Sequence, residues 1–210
     1  MLLIKVCGMR EPENIRAVEQ LGIDWMGFIL HPASSRFVAQ PPSYMPTKAK
    51  RVGVTVDMDI SHVVEKQQLF GFDILQLHGH ESPDYCLSLR QQLPRQVKLM
   101  KAIAVADTSS LLVADRYTSI VDYFLFETPS ATYGGSGRRF DWDLLDGYTS
   151  PVPFLLAGGI GPDDVSRLRS FSHPRLMGID LNSRFESAPA LKDIVKLQQF
   201  LRALRSPLNN

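Results

Sequence analysis

Long hydrophobic runs are missing from this sequence. No apolar stretch in its 210 residues approaches the roughly 18 residues needed to cross a bilayer, which excludes a membrane-spanning helix. Charge of one sign is missing too. The 23 basic and 22 acidic side chains leave a net charge of +1, so there is no basic stripe of the kind that binds nucleic acid. Cysteine is scarce: Cys7 and Cys86 are the only two, too few for a disulfide framework. The N-terminus lacks a basic segment followed by a long apolar one, so no secretory signal is expected and the expected location is the cytoplasm. Low-complexity tracts, charge blocks and linkers are absent, and residues 1–210 read as one domain. No nucleic-acid or membrane partner is expected.

What is present is a rhythm. Eight short apolar runs recur, mostly about 22 to 30 residues apart, which leaves room for a helix and two loops between them. They are centred on Ile4, Phe28, Val54, Leu75, Met100, Leu125, Leu155 and Ile179. Strands this uniformly apolar are buried on both faces, as in a parallel sheet. Helix signals lie between several of them. Pro12 and Glu13 open a first turn that continues through Ile15, Val18 and Leu21 to Gly22; Pro162 and Asp163 open another; Ile194, Leu197, Phe200, Leu201 and Leu204 form a helical stripe. The Pro41–Pro46 stretch predicts a short or irregular second helix, and residues 104–120 a weakly signalled one. Eight such units fit a (β/α)8 barrel. A doubly wound open sheet is the alternative, but no Gly-x-Gly-x-x-Gly follows the first strand.

In such a barrel the chemistry gathers at the C-terminal strand ends. Cys7 ends the first strand, and alternation puts Lys5 on its face, where an ammonium favours the thiolate. Glu127 ends the very apolar Tyr123–Phe126 run, where desolvation is expected to raise its pKa toward that of a general acid. Gly158 and Gly159 bring bare backbone amides to a turn and helix start after the seventh strand, and Asp180–Ser183 ends the eighth. Together they predict a phosphate site. Arg36, after the second strand, has the fork to grip a carboxylate. The glycines of Gly134–Gly137 predict a loop that approaches or covers a ligand. His78 and His80 lack the accompanying ligand spacing of a metal site, so none is expected.

Taken together these residues resemble phosphoribosylanthranilate isomerases of tryptophan biosynthesis. The likeness runs from Lys5 to Asp193 through ordered blocks: Lys5–Gly8, Gly27–Phe28 with Ser35–Val38, Val52–Val54, Leu75–Gly79, Gly134–Gly137 with Phe140–Trp142, Leu156–Gly159, and Asp180–Ser183 with Glu186 and Lys192–Asp193. The resemblance implies a cofactor-free Amadori rearrangement of a small phosphosugar–anthranilate, with Cys7 as general base and Glu127 as general acid. It also implies that Arg36 holds the anthranilate carboxylate, that Gly159, Asn182 and Ser183 hold the phosphate, and that His78, Gly135, Gly158 and Asp180 join the substrate site. A monomer or homodimer is expected. The chain departs from the family's usual pattern at Glu127, where aspartate is common, at Ala190, where glycine is common, and at His80. Two other readings are another phosphosugar barrel, such as an epimerase or indole-glycerol-phosphate synthase, and a barrel that only binds a phosphorylated ligand. The first lacks its metal, carboxylate-pair or lysine–glutamate set here.

Overall fold

The first and last strands pair with each other. β1 (Leu3–Val6) runs parallel to β8 (Leu176–Leu181), with Leu3 opposite Gly178 and Val6 opposite Leu181. The computed structural model describes residues 2–129 and 141–206. Between those two strands stand β2 (Trp25–Ile29), β3 (Lys50–Thr55), β4 (Ile74–Leu77), β5 (Lys98–Ala104), β6 (Tyr123–Glu127) and β7 (Phe154–Leu156), each parallel to its neighbours in a closed barrel. Each of the eight barrel strands falls on a predicted run, and closure rules out the open sheet. Gly135, with the rest of the glycine loop up to Phe140, and the tail from Pro207 lie outside the described residues.

Helices α1 (Pro12–Glu19), α2 (Ile60–Phe70), α3 (Pro83–Gln92), α4 (Ser109–Asp115), α5 (Val165–Ser170) and α6 (Ile194–Arg205) pack outside. Among the described residues none is long and apolar enough to cross a membrane. The predicted stripe of α6 is real: Leu197, Phe200 and Leu201 are buried, and the Asp193 side chain caps the helix by accepting from the Lys196 amide. A short antiparallel pair, β9 (Glu186–Ala188) and β10 (Leu191–Lys192), sits between β8 and α6. At its turn Ala190 adopts φ +66°, the left-handed region in which a glycine costs nothing.

The second βα unit has no helix: residues 30–49 run as turns and bends. Pro41, Pro42 and Pro46 remove backbone donors from that stretch. The buried Glu19 carboxylate, at the end of α1, ties the segment down instead. It accepts from the backbone amides of Thr47 (2.7 Å), Lys48 (2.6 Å) and Ala49 (3.2 Å) and from the Tyr44 hydroxyl. The Arg16 guanidinium lies 4.0 Å over the Tyr44 ring.

The core has two parts. A large cluster fills the space between strands and helices. A smaller one, built on Trp25, Val52, Ile74, Met100, Leu125 and Leu155, plugs the barrel interior. Alternation along each strand then sets what lies above the plug. Two residues beyond Leu3 comes Lys5, and two more brings Cys7; Ile74 is followed by Gln76 and His78, and Leu125 by Glu127. The apolar floor thus carries a polar layer at the C-terminal mouth.

Candidate active site

Nine of the ten expected site residues line one pocket that opens at the C-terminal ends of the strands. They are Cys7, Arg36, His78, Glu127, Gly158, Gly159, Asp180, Asn182 and Ser183; the tenth, Gly135, is outside the described residues.

Cys7 is held at the end of β1 by its amide, which donates to the Leu181 carbonyl at 2.8 Å. Gly27 on β2 makes room for it, since a Cβ there would fall 2.7 Å from the Cys7 Sγ. Lys5 shares the inward face as expected, yet its ammonium is fully buried and pairs with Asp180, Nζ to Oδ2 at 2.8 Å. Burial works against the charge on Lys5, but Asp180 and Cys7 outweigh it and hold the ammonium above its ordinary pKa. For Cys7 the balance goes the other way. Burial pushes the thiol up, and the charges of Lys5 and Lys192 offset only part of that. Lys5 favours the thiolate, as expected, but burial outweighs it and the Asp180 charge adds to the burial effect. The second Asp180 oxygen, Oδ1, is buried without a hydrogen-bond partner, a position a ligand hydroxyl could satisfy.

Across the pocket the Glu127 carboxylate meets His78, with Oε1 2.8 Å from Nε2. This corrects the expectation of a raised pKa at Glu127. Burial does favour a protonated Glu127, but the neighbouring imidazole and the Lys5 and Lys101 charges outweigh it and hold the carboxyl below its ordinary value. His78 responds in kind: burial disfavours its charge, and Glu127 more than compensates. The other imidazole nitrogen, Nδ1, is 2.7 Å from Gln76 Nε2, while Gln76 Oε1 is buried and unpartnered. Turning that amide over would give a doubly protonated His78 an acceptor on each side. The loop after β4 is fixed from below by buried Lys101, which donates to the Leu77 and Gly79 carbonyls and to Glu81. His80 turns away to Asp57, 3.2 Å from its Nδ1. Among the described residues no group of three or more His, Cys, Asp or Glu could hold a metal ion.

The anion end is built from two strand ends. Gly158 and Gly159 take φ +87° and +72°, and a Cβ on Gly158 would collide with the Thr128 backbone at 2.5 Å. Asn182 and Ser183 follow β8, with Ser183 opening a short 3-10 turn to Phe185. The Asn182 side-chain oxygen Oδ1 already accepts from Lys192 Nζ at 2.7 Å, which leaves its Nδ2 hydrogens as the group to offer an anion.

Arg36 lines the same pocket, but its fork is engaged. Nε and Nη2 grip Glu186 at 2.6–3.1 Å, leaving Nη1 as the edge Glu186 does not use. Lys192 Nζ also reaches Glu186, at 2.6 Å. Sequence reasoning placed Glu186 and Lys192 in matched blocks without giving them a part. A lysine between Leu191 and a helix-capping Asp193 looks like a surface residue, and its complete burial is a product of the β9–β10 turn.

Comparison with known proteins points to one family. The model of the N-(5'-phosphoribosyl)anthranilate (PRA) isomerase family matches residues 4–203. The N-(5'-phosphoribosyl)anthranilate isomerase of Phocaeicola vulgatus is 45% identical over 207 residues, covering 99% of this chain and all of the relative. The crystal structure of phosphoribosyl anthranilate isomerase from Thermus thermophilus superposes with a TM-score of 0.82 at 24% identity, over 97% of this chain and 98% of that one. A second isomerase structure, in complex with reduced 1-(o-carboxyphenylamino)-1-deoxyribulose 5-phosphate, superposes with a TM-score of 0.79 at 23% identity, over 98% of this chain and 99% of that one. The chain belongs to the N-(5'-phosphoribosyl)anthranilate isomerase family, the isomerases of tryptophan biosynthesis.

Proposed function

We propose that the pocket carries out the isomerisation by general acid–base catalysis, with Glu127 as the acid, Cys7 as the base, and no cofactor. The observation that carries this reading is that both groups line one pocket, with Arg36 and the Gly159–Ser183 amides beside them. An aryl carboxylate suits the guanidinium and a phosphate suits the amides.

The Glu127 carboxyl gives its proton to the furanose ring oxygen as the anthranilate nitrogen pushes its lone pair toward C1′. The C1′–O bond breaks and an iminium forms. The Cys7 thiolate then takes the C2′ proton, and the C2′–H electrons form the C1′–C2′ double bond while nitrogen regains its lone pair. Moving the enol proton to C1′ yields the amino-ketose, an isomer of the substrate with every atom retained.

The resting arrangement favours a thiol at Cys7 and a carboxylate at Glu127. The reactive one needs a thiolate and a carboxylic acid. The two hold the same number of protons, so a single transfer from Cys7 to Glu127 connects them. His78, bonded to Glu127, is the group through which that acid is recharged. The direct test follows the loss of fluorescence of N-(5'-phosphoribosyl)anthranilate with protein treated with a metal chelator. Turnover at the untreated rate is expected; turnover lost on chelation and restored by a metal would overturn the reading.

A further inference from the structure

We propose that Lys192 is a positioning residue that makes Arg36 available to the substrate's aryl carboxylate, by sharing Glu186 with it. The proposal rests on the reading that Arg36 binds that carboxylate. Arg36 on its own is an unpromising receptor, because Glu186 takes two of its three nitrogens, at 2.6–3.1 Å. A guanidinium whose charge is matched by a buried carboxylate is neutral as a pair. An incoming anion would meet the Glu186 charge at nearly the distance of the arginine's.

Lys192 changes the sum. Its side chain is fully buried, with Nζ 2.6 Å from Glu186 Oε1 and 2.7 Å from Asn182 Oδ1. Arg36, Glu186 and Lys192 together carry one net positive charge, and the lysine contributes it from behind, at no cost in pocket space. It cannot swing away. Asn14 on α1 accepts from the Lys192 amide and donates to its carbonyl, both at 2.8 Å. A lysine wanted only to close the β9–β10 turn would keep its charge in water, since burying an ammonium is costly unless its charge is used. Its contact with Asn182 also links the carboxylate end of the pocket to the anion end.

The test measures binding of two stable ligands by calorimetry: reduced 1-(o-carboxyphenylamino)-1-deoxyribulose 5-phosphate and the same molecule without its carboxyl. The wild type is expected to prefer the carboxylated ligand by about tenfold or more. Lys192→Met should lose most of that preference while holding the decarboxylated ligand within a few fold. Lys192→Met/Glu186→Gln restores the net charge by removing the negative partner and should regain the preference, a recovery that a purely structural role for Lys192 would not give. Should Lys192→Met fail to fold, Glu186→Gln alone is informative, because it raises the net charge and should widen the preference beyond the wild type's. An unchanged preference in Lys192→Met, no recovery in the double variant, or a narrowed preference in Glu186→Gln overturns the proposal. A wild type with no preference instead sinks the underlying assignment of Arg36.

Discussion

The imidazole Nε2 of His78 and the carboxylate Oε1 of Glu127 meet at 2.8 Å across the mouth of the barrel, from the ends of neighbouring-but-one strands. Glu127 reaches His78 from the end of β6, and His78 follows β4. The pair ties the proton affinity of Glu127 to a second titrating group. Replacing His78 with asparagine removes the charge that opposes burial. The Glu127 carboxyl should then titrate at higher pH, and the acidic limb of the kcat/KM profile should move upward with it. An acidic limb that stays in place would show that His78 does not govern Glu127.

Gly27 faces the thiol with only 2.7 Å for a side chain. Gly27→Ala should push the sulfur out of line with C2′, and misplacement by about 1 Å can cost on the order of 10²-fold in rate. The expected pattern is a collapsed kcat with a folded protein by circular dichroism. A variant with wild-type kcat would mean that the thiol position is not critical.

At the floor of the pocket, Lys5 and Asp180 are a buried ion pair in the barrel interior. Lys5→Met strands the Asp180 carboxylate, and breaking a buried pair this way costs about 3–5 kcal/mol. Urea unfolding should report a loss of that size. Lys5→Met/Asp180→Leu should recover much of the stability without recovering turnover.

Glu19 makes a prediction for stability alone. Burial favours its protonated form, but the Tyr44 hydroxyl and the amides of Lys48, Ala49 and Thr47 hold the folded carboxyl below its ordinary value. A depressed folded pKa contributes stability that is present above the unfolded pKa and lost as pH falls through the folded one. Glu19→Ala should cost about 2 kcal/mol at pH 7. The gap to wild type in thermal melts should shrink as the pH drops below the ordinary carboxylate range. A gap independent of pH would place the stabilisation elsewhere.

The sequence carried the barrel because its strands are apolar on both faces and recur at barrel spacing. Strand ends follow from strand runs, so the runs alone place Cys7, Glu127 and the Gly158–Gly159 turn at the mouth. What alternation cannot tell is which inward side chains meet across the barrel. The Tyr123–Phe126 run advertised the desolvation of Glu127, while the residue that reverses its effect follows β4. Lys5 beside Cys7 suggested a thiolate, but the burial that outweighs the lysine, and the Asp180 charge from β8 that adds to it, come from far along the chain. The prolines after β2 foretold the lost helix, but nothing local to them pointed to Glu19 as the replacement tie. Lys192 reads as a surface lysine because its burial is set by a turn at Ala190, a residue whose φ of +66° no alanine prefers.

The acid–base pairing of Glu127 with Cys7 is most directly tested by turnover of N-(5'-phosphoribosyl)anthranilate in Cys7→Ala and Glu127→Gln, alongside binding of the reduced product analogue. Each variant should lose about 10²- to 10⁴-fold in kcat, the usual range for a positioned proton-transfer group, with the analogue bound within a few fold of wild type. Wild-type kcat in either variant would contradict the assignment.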